Sequence, residues 1–317
     1  MELNNKKAIV IGCGSIGSRY IKLLSDLNFK VGCYDIKKIN KKNFAKKVIF
    51  FKSIKDSIKS KPDIIIISTP PKSHLKCLRE AIKSDAKILL EKPLAASIKD
   101  SKSIIEIDKK NKNRIWCVSN MRYHPAFEKL KKNFKRLGKI YYVSSHFSHR
   151  LSQMRSSGTN VFAAKKNEGG VILDCVHDID LVIKLFGKLT LTNSRIASIG
   201  REKIEAEDLA NIWLLGKNGI HVTMNFDFLS RWKTRGIKII GEKGTMIWNS
   251  QGRKPEIVSV KLFGSNGIID TLIDNSKLSH NYVYKEMLID FIGNCKNLQN
   301  IKESFKVFKI AMDARLN

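Results

Sequence analysis

The chain has 317 residues, enough for one large or two ordinary domains with a full hydrophobic core. Hydrophobic residues make up 43% of it, and no stretch approaches the eighteen apolar residues of a membrane span, which argues against a membrane protein. The formal net charge of +30 raises nucleic-acid binding as one possible explanation.

The first predicted elements surround a glycine turn. Residues 8–11 form an apolar run typical of a strand, and residues 18–27 carry apolar side chains at helical intervals. Three glycines lie between them in the spacing G-x-G-x-x-G. Such glycines reverse the backbone, let it approach a phosphate and let the helix pack on the strand, while the helix N–H groups face the anion. The turn predicts a pyrophosphate-binding cradle formed by Gly12, Cys13, Gly14, Ser15, Ile16 and Gly17.

A second apolar run, residues 29–34, ends at Asp35, eighteen residues after Gly17. This is where a Rossmann fold places the carboxylate that accepts hydrogen bonds from the adenosine ribose. An ordinary βαβ turn with a surface aspartate is the alternative, but the combination favours dinucleotide binding. Because a carboxylate repels a 2′-phosphate, we expect NAD as the cofactor and favour NADP less, although Lys37 and Lys38 weaken that preference.

The segments up to residue 119 alternate between strands and helices. The continuous β-branched run at 63–68 is typical of a parallel strand that is covered on both faces. This alternation predicts a doubly wound parallel sheet flanked by helices. Further strands are predicted at 48–51, 87–90 and 115–119, and helices at 53–60, 74–84 and 97–110, the last opened by a capping box.

Two of these strands end in polar motifs, at the sheet edge where doubly wound folds bind ligands. Ser-Thr-Pro follows the strand at 63–68, and Glu-Lys-Pro follows the strand at 87–90. His74 can lie near the cofactor or can equally be a helix-start residue without a ligand contact. The cofactor-binding residues predicted here are Ser68, Thr69, Pro70, His74, Glu91 and Lys92.

Beyond residue 120 the pattern changes to alternating runs typical of an antiparallel sheet. We therefore predict an NAD(P)-binding Rossmann domain at 1–120 and an α+β domain for substrate binding and oligomerisation at 121–317. The C-terminal helices of the second domain can pack back on the first. Its strands are predicted at 139–148, 189–199, 209–215, 220–228, 237–240, 245–249 and 257–263, and its helices at 121–137, 168–186, 282–295 and 304–314.

The helix predicted at 168–186 carries a second group of polar residues. Its apolar side chains form one stripe, while Asp174, His177 and Asp178 lie on the opposite face and Asp180 lies at the edge. Asp174 and His177 are three residues apart, so their side chains can touch. An amphipathic helix with an ordinary solvated face would show the same pattern.

The order of these motifs resembles that of the Gfo/Idh/MocA oxidoreductases, which include glucose–fructose oxidoreductase and inositol dehydrogenase. The likeness covers nearly the whole chain and is carried by the glycine turn, Ser-Thr-Pro, Glu-Lys-Pro and the Gly-Gly helix with Asp and His. It implies a Rossmann domain followed by a domain with an open, mostly antiparallel sheet. It also implies a homodimer or homotetramer formed through that sheet.

The resemblance implies roles for three residues. Lys92 would be the active-site lysine, His177 the acid–base residue and Asp174 its partner. The family usually places the histidine four residues beyond the aspartate, whereas the gap here is three. The form His-Asp-Ile-Asp, which ends at Asp180, resembles a branch that acts on surface sugars and nucleotide sugars. Whether Asp174 or Asp180 supports His177 therefore stays open.

The reaction expected is reversible hydride transfer between nicotinamide and a secondary hydroxyl of a sugar, polyol or nucleotide sugar. A histidine with an ordinary pKa of about 6.5 can take the hydroxyl proton near neutrality, and the Lys92 ammonium can stabilise the alkoxide. Arg122 is a weaker candidate for binding the cofactor, because it can equally be an ordinary surface arginine without a ligand contact. The candidate substrate-binding residues are Lys92, Tyr123, Asp174 and His177.

Two other kinds of function would also explain parts of the sequence. A Rossmann fold does not by itself imply chemistry, so a non-catalytic dinucleotide-binding or sensing protein is the main alternative. The lysines recur along the whole chain and greatly outnumber the arginines, which favours a generally cationic surface over specific nucleic-acid binding. The six cysteines lack a C-x-x-C pair and predict reduced thiols, without a metal site. The polar N-terminus predicts a cytoplasmic protein.

Overall fold

The computed structural model describes residues 6–37, 39–40, 44–45, 47–111, 114–154, 161–166, 168–279 and 281–316. The chain divides into two compact units. The first unit consists of Met1–Val118 and Ile289–Phe305, and the second of Ser119–Leu288 and Lys306–Asn317. Within the described ranges, the first unit contains a seven-stranded sheet and the second an eight-stranded sheet.

The first unit is a doubly wound α/β structure, as predicted. Six parallel strands lie in the order β6-β5-β4-β1-β2-β3, and a short antiparallel strand, Gln299–Asn300, pairs with the edge strand β6. Every residue of the central strand at Ile64–Ile67 is buried, which is the reason its sequence does not alternate. The parallel strands are β1 (Lys7–Ile11), β2 (Lys30–Tyr34), β3 (Ile49–Phe50), β4 (Ile64–Ile67), β5 (Lys87–Leu90) and β6 (Ile115–Cys117).

Four helices of the first unit connect these strands. The side chains of Ser53 and Ser97 cap two of them by accepting hydrogen bonds from the N–H groups of Asp56 and Asp100. One helix begins at Pro71, three residues before the predicted start, because proline at the first helical position loses no hydrogen bond. The helices are α1 (Ser15–Asp26), α2 (Ile54–Lys59), α3 (Pro71–Ala81) and α4 (Ile98–Lys110).

The second unit is built on a sheet in which described neighbours run antiparallel except for one parallel pair, β7 and β10. This confirms the predicted mostly antiparallel sheet. The strand order is β14-β13-β12-β11-β7-β10-β9-β8. The strands are β7 (Ile140–Ser148), β8 (Leu189–Ala197), β9 (Leu209–Gly216), β10 (His221–Asp227), β11 (Thr234–Gly241), β12 (Gly244–Gln251), β13 (Glu256–Gly264) and β14 (Gly267–Leu278).

Alternate residues of this sheet point to a buried face. In β10 the side chains of Val222, Met224 and Phe226 are buried, whereas His221 and Asn225 are exposed. The helices α5 (Pro125–Asn133), α7 (Val171–Asp174) and α8 (Val176–Phe186) pack against the sheet. The remaining helices are α6 (Leu151–Met154), α9 (Tyr282–Ile292) and α10 (Ile301–Ala314).

Several details differ from the sequence-based expectation. The edge strand β14 was not predicted, because most of its twelve residues are exposed and its apolar residues do not alternate cleanly. The helix predicted at 168–186 is divided into α7 and α8 by Cys175, whose backbone departs from helical geometry. Among the described residues, no helix has the length and apolar character needed to cross a bilayer.

Candidate active site

The glycine turn of the first unit is shaped by close backbone contacts. Gly12 has a positive φ of 94°, and a Cβ there would lie 2.8 Å from the backbone of Ser68 and Thr69. A Cβ on Gly17 would lie 1.8 Å from the Gly12 carbonyl oxygen, which no side chain could tolerate without movement. A Cβ on Gly14 would meet no atom within 4 Å. Two glycines therefore pack the turn, and the third borders open space.

The N-terminus of α1 adjoins that open space. The residue before the helix is Gly14, which has no side chain to cap it, and the first helical turn contains no acidic residue. Gly14 and Ser15 are exposed. A phosphate fits this position because helix N–H groups and the positive end of the helix dipole stabilise an anion. The residues present thus fit the pyrophosphate of a dinucleotide.

Asp35 follows β2 directly and faces the same turn. Its Oδ2 accepts a hydrogen bond from the N–H of Cys13 at 2.6 Å, and its Oδ1 accepts one from the N–H of Lys37 at 2.8 Å. Each carboxylate oxygen can accept a second hydrogen bond, so both remain able to bind ribose hydroxyls. Lys38, which with Lys37 weakens the predicted preference for NAD over NADP, lies outside the described residues.

Ile36, the next residue, was not among the predicted site residues. Its side chain is 87% exposed. Ile36 therefore presents an apolar surface next to Asp35, of the kind on which an adenine ring can pack. The signal available in the sequence was its position directly after the acidic residue at the end of a strand.

The loops after β4 and β5 are joined by His74. Its ring is fully buried in the first turn of α3, with Nε2 2.9 Å from the Thr69 carbonyl oxygen and Nδ1 3.3 Å from that of Leu94. Burial lowers the pKa of His74 to about 4, so the imidazole is neutral near pH 7. Ser68 Oγ also donates to the Gly12 carbonyl at 2.8 Å. These loops are therefore fixed to each other and to the glycine turn. Pro70, which is exposed, lies in the loop after β4, directly before α3.

The Glu-Lys-Pro segment leaves the sheet at the end of β5. The Glu91 side chain is buried, and its Oε1 accepts a hydrogen bond from the hydroxyl of Tyr20 at 2.6 Å. Its Oε2 accepts one from the N–H of Lys92 at 3.0 Å. Lys92 is itself partly exposed. The first unit thus presents a lysine beside a buried carboxylate at the carboxyl edge of its sheet.

In the second unit, the acidic residues and the histidine of α7 and α8 are buried, whereas Lys184 near the end of α8 is exposed. Asp174 and His177 are each 8% exposed, Asp180 is 3% exposed and Asp178 is fully enclosed. The interpretation of this segment as an amphipathic helix with a solvated face is therefore wrong. Asp174 ends α7 and His177 belongs to α8, so the two lie on either side of the break at Cys175.

Two arginines bind the carboxylates that follow His177. Arg122, which was expected near the cofactor, is buried and donates from Nε and Nη2 to the two oxygens of Asp180 at 2.7 and 2.6 Å. Arg235 of β11 binds Asp178 with its Nε 3.1 Å from Oδ1 and its Nη2 3.3 Å from Oδ2. The Arg122–Asp180 pair is bidentate, which fixes orientation as well as charge, whereas Arg235 makes one hydrogen bond to Asp178 within a close ion pair. Tyr123, the predicted substrate-binding neighbour of Arg122, is partly exposed.

The charged network of the second unit extends beyond α8. Lys233 Nζ lies 3.0 Å from Glu256, and the ring of His124, stacked on Trp248, places its Nε2 3.8 Å from the same carboxylate. Burial lowers the pKa of His124 to about 3 despite that carboxylate. For Arg235, burial is the largest single influence and acts to lower the pKa, but Asp178 and the other neighbouring acidic groups together outweigh it, and the net shift of the pKa is upward. These residues were not predicted, because no local pattern links their positions.

Among the described residues, no group of three or more His, Cys, Asp or Glu side chains is arranged to hold a metal ion. Each unit contains candidate residues of its own. The first unit has the glycine turn, with Asp35 beside it, and Lys92 after β5. The second has a histidine on a helix held by buried arginines.

Comparisons with known proteins agree with this description. The family model described as "Oxidoreductase family, NAD-binding Rossmann fold" matches residues 6–119, and the "GFO/IDH/MocA C-terminal domain" model matches residues 132–247. The uncharacterized protein YMR315W of Saccharomyces cerevisiae is 25% identical over 66% of this chain, and the match spans only 62% of the yeast protein.

Two further relatives have described ligands or activities. Glucose-6-phosphate 3-dehydrogenase of Bacillus subtilis is 24% identical over 86% of this chain and 82% of its own length. The WlbA dehydrogenase of Chromobacterium violaceum, solved in complex with NADH and UDP-GlcNAcA, superposes with a TM-score of 0.79 at 20% identity, covering 100% of this chain and 94% of its own. At that identity the superposition shows the fold. With both family models matched in order over most of its length, the chain belongs to the Gfo/Idh/MocA family of oxidoreductases and has an NAD-binding Rossmann domain.

Proposed function

We propose that this protein is an NAD-dependent dehydrogenase that acts on a secondary hydroxyl or ketone of a sugar, polyol or nucleotide sugar. The observation that carries the proposal is the uncapped N-terminus of α1 beside Gly14, with Asp35 positioned next to it. The relatives that act on glucose 6-phosphate or that bind NADH with a nucleotide sugar support the substrate class. NAD is favoured over NADP because Asp35 carries a negative charge where a 2′-phosphate would lie.

The cofactor would be held by the glycine turn, Asp35 and the loops after β4 and β5. When bound, nicotinamide accepts or returns the two electrons of the reaction. The chain itself must manage the proton of the substrate hydroxyl. We assign proton removal to the imidazole of His177, and we assign stabilisation of the developing alkoxide charge to the Lys92 ammonium.

The buried surroundings of His177 suit this assignment. The imidazole is 8% exposed, so it is largely withdrawn from bulk water. The pairs Arg122–Asp180 and Arg235–Asp178 hold the helix that carries it, and a fixed helix holds the imidazole in one orientation. Asp174 or Asp180 would select its tautomer. Asp180 already binds Arg122 through both oxygens, which favours Asp174 for that role.

The test is a substrate screen with matched variants. Purified protein is mixed with NAD or NADP and with free sugars, polyols, sugar phosphates and nucleotide sugars, and the absorbance of reduced nicotinamide is followed. We expect turnover with at least one class, and a loss of kcat of about a hundredfold or more in Lys92→Met and in His177→Gln. The control is Lys110→Met, which changes an exposed lysine of the first unit at the end of α4.

Binding without turnover would overturn the proposal. If the protein bound NADH but oxidised or reduced none of these substrates, it would act as a dinucleotide-binding or sensing protein. Full turnover in Lys92→Met or His177→Gln would contradict the assigned roles while leaving the reaction in place.

We also propose that the protein forms a homodimer or homotetramer through the open face of the eight-stranded sheet. Trp213 and Leu215 of β9 alternate with buried residues and are 39% and 38% exposed, which places large apolar side chains on that face. Light scattering of the wild type and of Trp213→Asp tests this. A monomer in the wild type would contradict it.

A further inference from the structure

Tyr20 connects the phosphate-binding helix to the segment that carries Lys92. It lies on α1, which begins at the glycine turn, and its side chain is fully buried against the sheet. Its hydroxyl donates to Glu91 Oε1 at 2.6 Å across 71 residues of sequence. A short hydrogen bond from a buried hydroxyl to a buried carboxylate is charge-assisted and directional. The contact therefore joins two elements that both adjoin the candidate cofactor site.

The Glu91 carboxylate also fixes the backbone of the next residue. The N–H of Glu91, the residue directly after β5, still bonds to the neighbouring strand β4 by donating to the Ile67 carbonyl at 2.9 Å. The following N–H, that of Lys92, donates instead to Glu91 Oε2 at 3.0 Å. The carboxylate thus takes the place of a strand carbonyl at the point where the chain leaves the sheet. Its position determines the direction in which the Lys92 backbone continues.

We propose that Tyr20 and Glu91 are positioning residues for Lys92, and that they couple binding at the N-terminus of α1 to the placement of the Lys92 ammonium. The assignment of a catalytic task to Lys92 rests on the proposed function. The coupling itself rests on the contacts within the first unit. A displacement of α1 when an anion binds at its N-terminus would act on Glu91 through the tyrosine hydroxyl, and Glu91 would act on Lys92 through its N–H.

The central variant is Tyr20→Phe, which removes one oxygen and keeps the buried ring. Loss of that donor leaves a buried carboxylate with one fewer hydrogen bond, which loosens the orientation of the Glu91 side chain. We expect kcat to fall about tenfold, since a small misplacement of a catalytic group is costly, while KM for NAD changes by less than about threefold. If the role of Tyr20 were purely structural, Tyr20→Phe would lower the melting temperature but would not lower kcat selectively while leaving KM nearly unchanged.

A second readout does not depend on turnover. The rate at which the Lys92 amine is modified by reductive methylation can be measured by peptide mass spectrometry, with and without NADH. In the wild type we expect NADH to change that rate at Lys92. In Tyr20→Phe we expect an altered rate without NADH and a smaller change on adding it. NADH binding itself, followed by nicotinamide fluorescence, should stay within about threefold of the wild type.

A double-mutant cycle with Glu91→Gln tests whether the two residues act as one unit. If they act through their shared hydrogen bond, the double variant will lose no more kcat than the worse single variant. Independent effects would multiply. The matched control is Tyr142→Phe, which removes a hydroxyl that contacts Thr223 Oγ1 at 2.5 Å in the second unit. It should change neither kcat nor Lys92 modification.

The outcomes separate this inference from the proposed function. Wild-type kcat and wild-type Lys92 modification in Tyr20→Phe would overturn the inference. So would a Lys92 modification rate in the wild type that does not respond to NADH. A protein that turns over no substrate but shows the NADH response, with its loss in Tyr20→Phe, would contradict the proposed function and keep the coupling.

Discussion

The two units hold their candidate functional residues by different physical means. In the first unit the backbone shapes the site, since Gly12 and Gly17 allow contacts that no Cβ would permit, and Asp35 is fixed by the N–H of Cys13. In the second unit, side-chain charges hold the site. Two carboxylates of helix α8 that are withdrawn from water bind the guanidinium groups of Arg122 and Arg235.

The two modes of construction make the units sensitive to different substitutions. A backbone turn depends on the absence of side chains at a few positions and tolerates most changes elsewhere. A buried ion pair concentrates its energy in two side chains, because removing one leaves the other charged, enclosed and without its partner. We therefore expect the largest effects of single substitutions on stability in the second unit and the clearest effects on cofactor binding in the first.

The largest effect is expected from Arg235→Ala. This change removes the partner of the fully buried Asp178 and also the stacking of the guanidinium on Phe147, whose ring centre lies 4.6 Å away. Breaking a buried pair typically costs about 3–5 kcal/mol of unfolding free energy. Urea unfolding followed by circular dichroism measures the loss.

Two variants control that experiment. Arg136→Ala breaks a largely exposed pair with Asp270 in the same unit and should cost less than about 1 kcal/mol. Replacing both buried partners, as Arg235→Met with Asp178→Leu, should recover much of the loss because no unpaired charge remains. A loss in Arg235→Ala as small as that in Arg136→Ala would mean that the second unit does not depend on its buried pairs.

Acid should weaken the first unit through His74. Its pKa is about 4 in the folded protein, against about 6.5 when unfolded, so between these values the unfolded chain binds a proton that the folded chain does not. Stability is therefore complete above pH 6.5 and falls by about 1.4 kcal/mol per pH unit as the pH drops toward 4. Below about 4 this contribution no longer changes.

The variant His74→Gln isolates this contribution. Its amide can still donate to the Thr69 carbonyl, which the imidazole Nε2 approaches at 2.9 Å, but it cannot titrate. The slope of the unfolding free energy against pH is measured for the wild type and the variant, and the two slopes are compared. The comparison is needed because other buried groups affect the slope in the opposite direction. One of them is Asp108, whose pKa is raised to about 6 mainly by burial. Equal slopes between pH 4 and 6.5 would contradict the assignment.

The contrast between the units also explains what the sequence could predict. The glycine turn was predictable because its residues are contiguous and their spacing has one physical meaning. The uninterrupted apolar runs of β4 and β5 likewise predicted buried parallel strands. The capping serine at residue 97 was confirmed, since a cap depends on residues within one turn.

The buried pairs could not be predicted in that way. Arg122 and Asp180 are 58 residues apart, and Arg235 and Asp178 are 57 apart. A helical wheel assigns Asp178 to a polar face, but whether that face meets water or an arginine depends on the packing of distant strands. The roles of Lys92 and His177 stay predictions, because they concern chemistry that no local pattern determines.

A smaller effect on stability, with a clear effect on binding, is expected in the glycine turn. Gly17→Ala places a Cβ 1.8 Å from the Gly12 carbonyl oxygen and should cost about 1–3 kcal/mol of unfolding free energy by overpacking. Gly14→Ala meets no protein atom within 4 Å and should change stability by less than about 0.5 kcal/mol. It should still weaken NADH binding about tenfold, because its methyl group projects toward the phosphate position.

Titration of nicotinamide fluorescence and urea unfolding of the same two variants provide the measurements. The informative result is that Gly14→Ala keeps the unfolding free energy of the wild type but binds NADH more weakly. If that variant bound NADH as tightly as the wild type, the open space beside Gly14 would not be the phosphate site, and the cradle would have to be assigned elsewhere.

The smallest effect concerns the choice between NAD and NADP, and it tests whether the backbone-built site selects its ligand by charge. Asp35→Asn removes the negative charge next to the glycine turn while keeping one oxygen that can accept the Cys13 N–H. We expect NADH binding to weaken by roughly tenfold or less, about 1 kcal/mol, and the affinity for NADPH to rise relative to it. Dissociation constants for NADH and NADPH, measured by fluorescence, give the ratio of the two affinities.

Asp63→Asn is the matched control, because Asp63 accepts the N–H of Lys7 at 2.7 Å at the amino end of β1, away from the glycine turn. If Asp35→Asn and Asp63→Asn gave the same ratio of NADH to NADPH affinity, the carboxylate would not select the cofactor, and the first unit would recognise its ligand by backbone shape alone.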